Sequence, residues 1–351
     1  MTPYLDDTIQ TPSLDTFALL EKGDPAPDWL YEGVCKAWGI KPSASMLTLI
    51  TVSENATFLL SLRGDPFGVV RVSQPGYVGG PRAIASELEW VNSLHDIEEV
   101  NLVTAIPTVR DTYVVTILDE AGVEWACICS EFVEGVVLED LDDPSSYYRT
   151  LGRWSALFHN QSRTWELPEN FKRFNWGLSD MIGPNPRWGR WEETDLGEEE
   201  FNLLKHAENE AIKVMEKAPR TTETWGVIHA DLRPSNVIAD EEGNLTVIDF
   251  DDAGFSWYLY DYAAALSFVE HEPYAPAMAK AWVEGYRQIN DLSDHDIEVA
   301  SALSMLRRLQ MLGWTVNHPE DALPDGLFRA QAPGTVACAR RYLENPTWLL
   351  N

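Results

Sequence analysis

Short apolar runs broken by polar turns dominate the first third of the chain. Five such runs follow one another: MLTLITV, TFLLSL, FGVVRVS, YVVTILD and EWACICSEFV. Their length and the turn residues between them predict an antiparallel β-sheet. The segment PRAIASELEWVNSLH has apolar residues at helical spacing and a proline near its start, so it predicts one helix within this region. Residues 1–45 are predicted to be a proline-punctuated lead-in with short helices.

After residue 134 the apolar residues recur mostly at helical spacing. Five segments predict helices: SSYYRTLGRWSALFHNQSR, GEEEFNLLKHAENEAIKVMEKA, WYLYDYAAALSFVEH, APAMAKAWVEGYRQI and HDIEVASALSMLRRLQMLGWTVNH. The pattern therefore predicts an α+β protein. It has a β-rich N-terminal lobe (residues 1–134), a mainly helical C-terminal lobe (residues 135–351), and a hinge near Val133–Gly135.

The net charge of the chain excludes some classes of binding partner. Asp and Glu number 56 against 26 Lys and Arg, a formal net charge of -30. Such a surface repels nucleic acid and anionic membranes, so we expect neither as a partner. The N-terminus lacks a basic region followed by an apolar core, and no apolar run reaches membrane-spanning length, which predicts a cytoplasmic protein. Four cysteines without a CxxC pair argue against a metal knuckle or a disulfide framework.

The stretch VIHADLRPSNVIADEEGNLTVIDFDDAG carries the candidate chemistry. NVIAD and LTVIDF are apolar runs separated by EEGN, which predicts a hairpin. If Asp240 pairs with Leu245, then Asn236 faces Asp249 across the two strands. An amide oxygen and a carboxylate then converge at the open end of the hairpin, where Mg²⁺ prefers such oxygen ligands.

The spacing His229-x-Asp231-x4-Asn236, followed by Asp249, is typical of a phosphoryl-transfer site. Asp231 lies on the turn that leads into the hairpin. In such sites an Asp orients the attacking hydroxyl and accepts its proton, while an Asn and a second Asp hold the metal. The alternative, an ordinary surface hairpin with solvated acids, does not account for this spacing.

The motifs HADLRPSN and VIDFDDAG resemble the aminoglycoside phosphotransferase and choline kinase superfamily, whose members are small-molecule kinases with a protein-kinase-like fold. Other segments resemble its homoserine-kinase-like bacterial branch: SENATFLL, VVRVSQPGY, IASELEWV, IGPNPRWGRWE, GFSWYLYDYAAALSF and RRLQMLGW. The resemblance extends from about residue 45 to 320. It implies a two-lobed protein-kinase-like fold with ATP and Mg²⁺ as cofactors.

The resemblance also implies roles for individual residues. Asp231 is expected to be the catalytic base and His229 to hold the catalytic loop by hydrogen bonds. Asn236 and Asp249 are expected to be the Mg²⁺ ligands.

For the nucleotide, the resemblance pairs Glu87 with Arg71, which stands where the wider family usually has Lys. Arg keeps the charge but presents a planar fork of donors, so this exchange is not neutral. Whether Arg71 reaches the phosphates or only Glu87 stays open. The loop over the phosphates and the adenine hinge supply the remaining candidates: Ser53, Asn55, Glu131, Phe132 and Val133.

Three further residues are candidates for binding the substrate. Asp252 follows the proposed metal ligand Asp249, and the alternatives for it are to assist the metal, to face a substrate amine or to be a solvated loop acid. Arg307 and Arg308, on a predicted C-terminal helix, either meet an anionic substrate group or form structural ion pairs. His159 and Asp261 are expected to be structural, with Asp261 bracing the catalytic loop.

The acceptor is expected to be a small molecule with a hydroxyl group: an amino alcohol, a hydroxylated amino acid or an aminoglycoside-like compound. Only eleven residues, 250–260, separate Asp249 from Asp261, which is too short for the peptide-docking segment of protein kinases. A bacterial Ser/Thr protein kinase of the stress-response type is the alternative. A pseudokinase that only binds ATP is a third reading, supported by Arg71 alone.

Overall fold

The computed structural model describes residues 14–76, 78–318, 322–323 and 326–350. The chain divides into two compact units. Unit 1 comprises the described residues up to Asp96 together with Asn101–Glu134 and Pro168–Arg173. Unit 2 comprises Ile97–Val100, Gly135–Leu167 and the described residues from Phe174 onward.

Unit 1 is built on a five-stranded antiparallel sheet. The strands of this sheet are, in chain order, β1 (Ser45–Val52), β2 (Asn55–Leu62), β3 (Asp65–Ser73), β5 (Val115–Leu118) and β6 (Glu124–Glu131). The two-residue strand β4 (Asn101–Leu102) is not part of it. The spatial order is β1-β2-β3-β6-β5. Every neighbouring pair is antiparallel, as the alternation of short apolar runs predicts.

Unit 1 also contains two helices, α1 (Asp28–Trp38) and α2 (Pro81–Leu94), of which α1 packs against β5. The core on one face joins Phe17 and Leu30 to Phe58 and Trp125. The ring of Phe17 lies edge-on to that of Trp125 at 5.4 Å between centroids. The four cysteines are buried and unpaired, and burial raises the pKa of the Cys127 thiol, so these thiols belong to the core.

Unit 2 is mainly helical. Its helices are α3 (Tyr148–Thr164), α4 (Leu178–Ile182), α5 (Glu198–Met215), α6 (Tyr260–Ala265), α7 (Ala275–Tyr286), α8 (Asp294–Asn317) and α9 (Leu327–Glu344). Its short strands are β7 (Val136–Val137), β8 (Phe174–Asn175), β9 (Trp225–Ile228), β10 (Val237–Ala239), β11 (Leu245–Val247) and β12 (Gly254–Trp257). Within the described ranges, every helix falls short of the length and apolarity that a membrane span requires.

Two helical features differ from the sequence pattern. The segment 257–271 is helical only over Tyr260–Ala265, and turns follow it. The helix Leu327–Glu344 carries Pro333 in its interior, followed by Gly334, two residues that ordinarily break helices. This helix still forms because its buried face packs against α5 and α8.

The predicted register of the β10–β11 hairpin was wrong by one residue. Ala239 pairs with Leu245 and Val237 with Val247, so the loop has three residues between Asp240 and Asn244. The Asp240 carboxylate closes this loop by accepting from the amides of Glu242 and Asn244, and Gly243 takes φ of 84°. Because of the slip, Asn236 faces Ile248 rather than Asp249.

Candidate active site

The loop that carries Asp231 begins where β9 ends. Ala230, between His229 and Asp231, has φ of 66°, in the left-handed region that residues other than glycine rarely occupy. Its backbone N–H donates to Asp261 Oδ1 at 2.7 Å. This charge-assisted bond stabilises the strained conformation, which turns Asp231 out of the line of the strand.

The Asp231 carboxylate is held by three side chains. Asn236 Nδ2 donates to Oδ2 at 2.9 Å, and Arg307 Nη2 donates to Oδ1 at 3.0 Å. Arg233 Nε lies 3.1 Å from Oδ1 and 3.3 Å from Oδ2. The carboxylate is 17% exposed, so it keeps an accessible edge although both oxygens have partners.

The charge state of Asp231 follows from these neighbours. Burial alone would raise its pKa, but the guanidinium groups of Arg233 and Arg307 hold the pKa below its ordinary value. Asp231 is therefore a carboxylate at neutral pH, the form that accepts a proton from a hydroxyl.

Asn236 and Asp249 fit a hard divalent cation by their chemistry. Because Asn236 uses its amide nitrogen to bind Asp231, its amide oxygen is the atom left for a metal. Its backbone carbonyl accepts from the Ile248 amide at 2.9 Å, which ties the residue before Asp249 to Asn236. Asp249 follows in a left-handed turn with φ of 57°. One amide and one carboxylate suit Mg²⁺, which binds few protein oxygens and keeps waters or phosphate oxygens.

A richer metal centre is not found. Among the residues that the structure describes, no group of three or more His, Cys, Asp or Glu side chains converges as metal ligands do. A divalent cation at this site would thus depend on substrate oxygens for most of its coordination.

His229 is fully buried, and its role can be read from its hydrogen bond. Its Nδ1 accepts from the Asp231 N–H at 3.3 Å, so the ring proton is on Nε2. Burial lowers the pKa of His229 and outweighs the carboxylates of Asp261, Asp231 and Asp249, each of which raises it. A neutral imidazole bound to the loop backbone holds the loop in place.

A buried chain of polar groups braces this loop from the helices. Asp261 Oδ2 lies 2.9 Å from His159 Nε2, and His159 Nδ1 lies 3.0 Å from the Tyr286 hydroxyl. His159 and Asp261 are both 0% exposed, in helices α3 and α6. Through Asp261, the position of Ala230 therefore depends on the packing of three helices.

We expect Asp261→Ala to lower the free energy of unfolding by about 3 kcal/mol, because it leaves the Ala230 N–H and the His159 ring buried without an acceptor. Urea denaturation followed by circular dichroism measures this change. The control Asp294→Ala lies in the exposed first turn of α8 and should cost less than about 1 kcal/mol. Equal stabilities of the two variants would contradict the bracing role.

In unit 1, the predicted ion pair is present. Arg71 Nη2 lies 2.8 Å from Glu87, joining β3 to α2, and the two side chains are 11% and 2% exposed. Arg173 Nη1 lies 3.3 Å from the same carboxylate and also donates to the Ala83 carbonyl. Glu87 is thus shared by two guanidinium groups, which offsets the cost of burying its charge.

The other nucleotide candidates lie at the ends of the unit 1 strands. Ser53 is in the β1–β2 turn, where its amide donates to the Asn55 carbonyl, and Asn55 opposite Ser73 is 4% exposed. The amides of Glu131 and Phe132 donate to the carbonyls of Thr104 and Phe67.

Val133 follows these two paired amides. Among the residues that the structure describes, its amide has no hydrogen-bond partner, so it is the donor of this segment that a ligand can use.

The residues predicted to bind the substrate have different partners in the structure. Arg307 contacts Asp231, whereas Arg308 forms a fully buried pair with Glu270 at 2.7 Å and donates to Thr335, away from Asp231. The Asp252 carbonyl accepts from Trp176 Nε1. Burial alone would lower the pKa of Arg307, but Tyr260, Asp231 and Asp252 hold that pKa above its ordinary value.

Sequence reasoning missed Arg233 and Arg173 altogether. Arg233 stands inside the HADLRPSN motif, two residues after Asp231, so its position was a signal for it. No sequence signal pointed to Arg173, since it is far from Glu87 in sequence.

Comparison with known proteins shows the family to which the chain is similar. The model of a family described as "Phosphotransferase enzyme family" matches residues 49–295. Amicoumacin kinase of Bacillus subtilis (strain 168) is 24% identical over 248 residues, which is 65% of this chain and 67% of that protein. Homoserine kinase of Sinorhizobium medicae (strain WSM419) is 32% identical over 180 residues, covering 50% of this chain and 51% of that protein.

A solved structure of a microcompartment-associated aminopropanol kinase superposes with a TM-score of 0.79 and 32% identity. It covers 91% of this chain and 99% of its own. Spectinomycin phosphotransferase, at 12% identity, superposes with a TM-score of 0.60 over 93% of this chain and 97% of its own. The second likeness concerns the fold alone, and together they confirm the mixed α+β, protein-kinase-like fold class.

Proposed function

Because the chain belongs to the phosphotransferase enzyme family, a small-molecule kinase group, we propose that it transfers the γ-phosphate of ATP to a small-molecule hydroxyl in a Mg²⁺-dependent reaction. The observation that carries this proposal is that Asp231 is ionised and that Asn236 and two guanidinium groups orient its carboxylate. The two oxygen donors proposed for the metal, Asn236 and Asp249, follow it in the chain. A pseudokinase would have no need of this intact arrangement.

In this reaction Asp231 accepts a hydrogen bond from the acceptor hydroxyl and takes its proton as the hydroxyl oxygen bonds to the γ-phosphorus of ATP. The bond between that phosphorus and the β–γ bridging oxygen breaks, and ADP leaves with the electron pair. Its accessible edge is the part that meets the hydroxyl. His229 and Asp261 hold the loop that carries it. Asn236 and Asp249 would bind Mg²⁺, which neutralises charge on the phosphate oxygens.

We assign the nucleotide contacts of unit 1 to the Arg71–Glu87 pair, the turn with Ser53 and Asn55, and the segment Glu131–Val133. Two features support this assignment. Glu87 holds the guanidinium of Arg71, a residue of β3, and the Val133 amide has no partner within the described part of the chain. Arg71 presents a forked donor suited to phosphate oxygens.

An amino alcohol is the acceptor that we favour. The aminopropanol kinase is 32% identical across 91% of this chain, whereas the homoserine kinase match covers 50%. The segment between Asp249 and Asp261 holds only β12 and the first residue of α6 with short turns, which leaves no peptide-docking platform and argues against a Ser/Thr protein kinase.

An acceptor screen by ADP release tests this proposal. With Mg²⁺ and ATP, we expect aminopropanol and ethanolamine to stimulate ADP formation at least about tenfold over the acceptor-free rate, and more than homoserine or casein does. Mass spectrometry of the phosphorylated product excludes uncoupled ATP hydrolysis, and Asp231→Asn supplies the background rate. Stimulation by casein alone would favour a protein kinase, and no stimulation by any acceptor would reject the proposed function.

A further inference from the structure

Arg307 lies in the middle of α8 with its charge out of solvent. Its side chain is 1% exposed. Burying a guanidinium group is costly unless each of its donors finds a partner and its charge is balanced. The residues around Arg307 therefore have to supply hydrogen-bond acceptors and a balancing negative charge.

All three nitrogens of Arg307 already donate to protein atoms. Nε donates to Ser267 Oγ at 2.9 Å, Nη1 to the Tyr260 hydroxyl at 2.7 Å, and Nη2 to Asp231 Oδ1 at 3.0 Å. The guanidinium carbon lies 4.8 Å from the centre of the Trp188 ring, which covers one face of the group. Three of its five N–H donors are thus taken by protein atoms, and with 1% of the side chain exposed the guanidinium is enclosed.

The partners of Arg307 are themselves fixed. Tyr260 is 0% exposed, and its hydroxyl, which accepts from Arg307, donates to Gln310 Oε1 at 2.6 Å. Gln310 follows Arg307 by three residues on the same face of α8. The chain Gln310–Tyr260–Arg307 therefore ends on one oxygen of Asp231, while Asn236 holds the other.

We infer that Arg307 is a positioning residue that orients the carboxylate of Asp231 from within α8 and does not bind the acceptor. This inference rests on the proposed function, since it assigns Arg307 a role in that same reaction. Two donors on opposite oxygens define the plane of the carboxylate, and with it the edge that faces the acceptor hydroxyl. A misplacement of about 1 Å at such a group costs roughly 10² in rate.

The next residue supplies a matched control. Arg308 is equally buried on the same helix, but its donors are taken by Glu270, Thr335 and the Gln331 carbonyl. Replacing either arginine by Met removes a buried cation of similar size. Both variants are expected to lose stability, whereas only one of them loses a contact to Asp231.

We expect Arg307→Met to lower kcat about 10²-fold with KM for ATP and for the acceptor changed less than about threefold. Arg308→Met should lower the melting temperature comparably but keep kcat within about threefold. Arg307→Lys keeps the charge without the fork of donors, so its kcat should fall between those of Arg307→Met and the wild type. Rates are compared below the melting transition of every variant.

A double-mutant cycle with Asp231→Asn distinguishes positioning from direct binding. If Arg307 acts through Asp231, adding Arg307→Met to Asp231→Asn should lower kcat by less than about threefold more. An independent contact to the acceptor would instead multiply the two losses and raise the KM for the acceptor.

The possible results distinguish a failure of the positioning role of Arg307 from a failure of the proposed kinase activity. Multiplied losses, a raised acceptor KM, or a kcat of Arg307→Met equal to that of Arg308→Met would overturn the positioning role while the kinase activity of the wild type stands. A wild-type protein without activity toward any acceptor would overturn both.

Discussion

Asp231→Asn is expected to lower kcat by roughly 10²–10⁴-fold, the usual span for the loss of a general base. Asparagine has the same shape but only one side-chain oxygen, so it keeps an acceptor for either Arg307 or Asn236, which bind different oxygens of Asp231. Its amide does not accept the proton of the hydroxyl. The nucleotide contacts that we assign to unit 1 are unaffected by this change. The measurement is steady-state ADP release, with nucleotide affinity followed by calorimetry.

Asp240→Asn is the matched control for this substitution. Asp240 lies at the opposite end of the hairpin, where its carboxylate accepts hydrogen bonds from the turn amides. The amide oxygen of asparagine can take the place of Oδ1, which accepts from both turn amides, so kcat should stay at the wild-type value. Near-wild-type turnover of Asp231→Asn would remove the base mechanism.

Replacing Asp249 is expected to have the second large effect. Asp249→Ala removes one of the two protein ligands proposed for Mg²⁺, and activity should fall by about 10³-fold or more, since a bound metal supplies several kcal/mol of transition-state stabilisation. Mg²⁺-dependent binding of a non-hydrolysable ATP analogue should weaken in parallel. Unchanged turnover would exclude Asp249 as a ligand.

Asp249→Asn separates the loss of the ligand from the strain of its backbone. Asp249 has φ of 57°, a conformation that asparagine tolerates better than alanine does. Asparagine also keeps one oxygen while losing the charge. We therefore expect Asp249→Asn to regain part of the activity at raised Mg²⁺ concentration. If neither variant regains activity and both lose thermal stability, the strained backbone at this position is the cause of the lost activity.

The hairpin of strands 237–239 and 245–247 shows which structural features local sequence predicts and which it does not. The sequence predicts the hairpin itself, because two apolar runs flank a Gly-Asn turn. It did not predict the register, since the Asp240 carboxylate closes a three-residue loop in competition with the four-residue alternative. The one-residue slip places Ile248 opposite Asn236, and Asp249 follows Ile248 in a left-handed turn.

The family and fold class, the spacing of His229, Asp231, Asn236 and Asp249, and the antiparallel sheet were all predictable from the sequence, because each depends on neighbouring residues. Which of two adjacent buried arginines meets Asp231 was decided only by the tertiary structure. Arg307 and Asp231 are 76 residues apart, and the rotation of α8 sets the partner. Arg307 and Arg308 have the same chemistry, but their positions around one helix turn them toward different carboxylates.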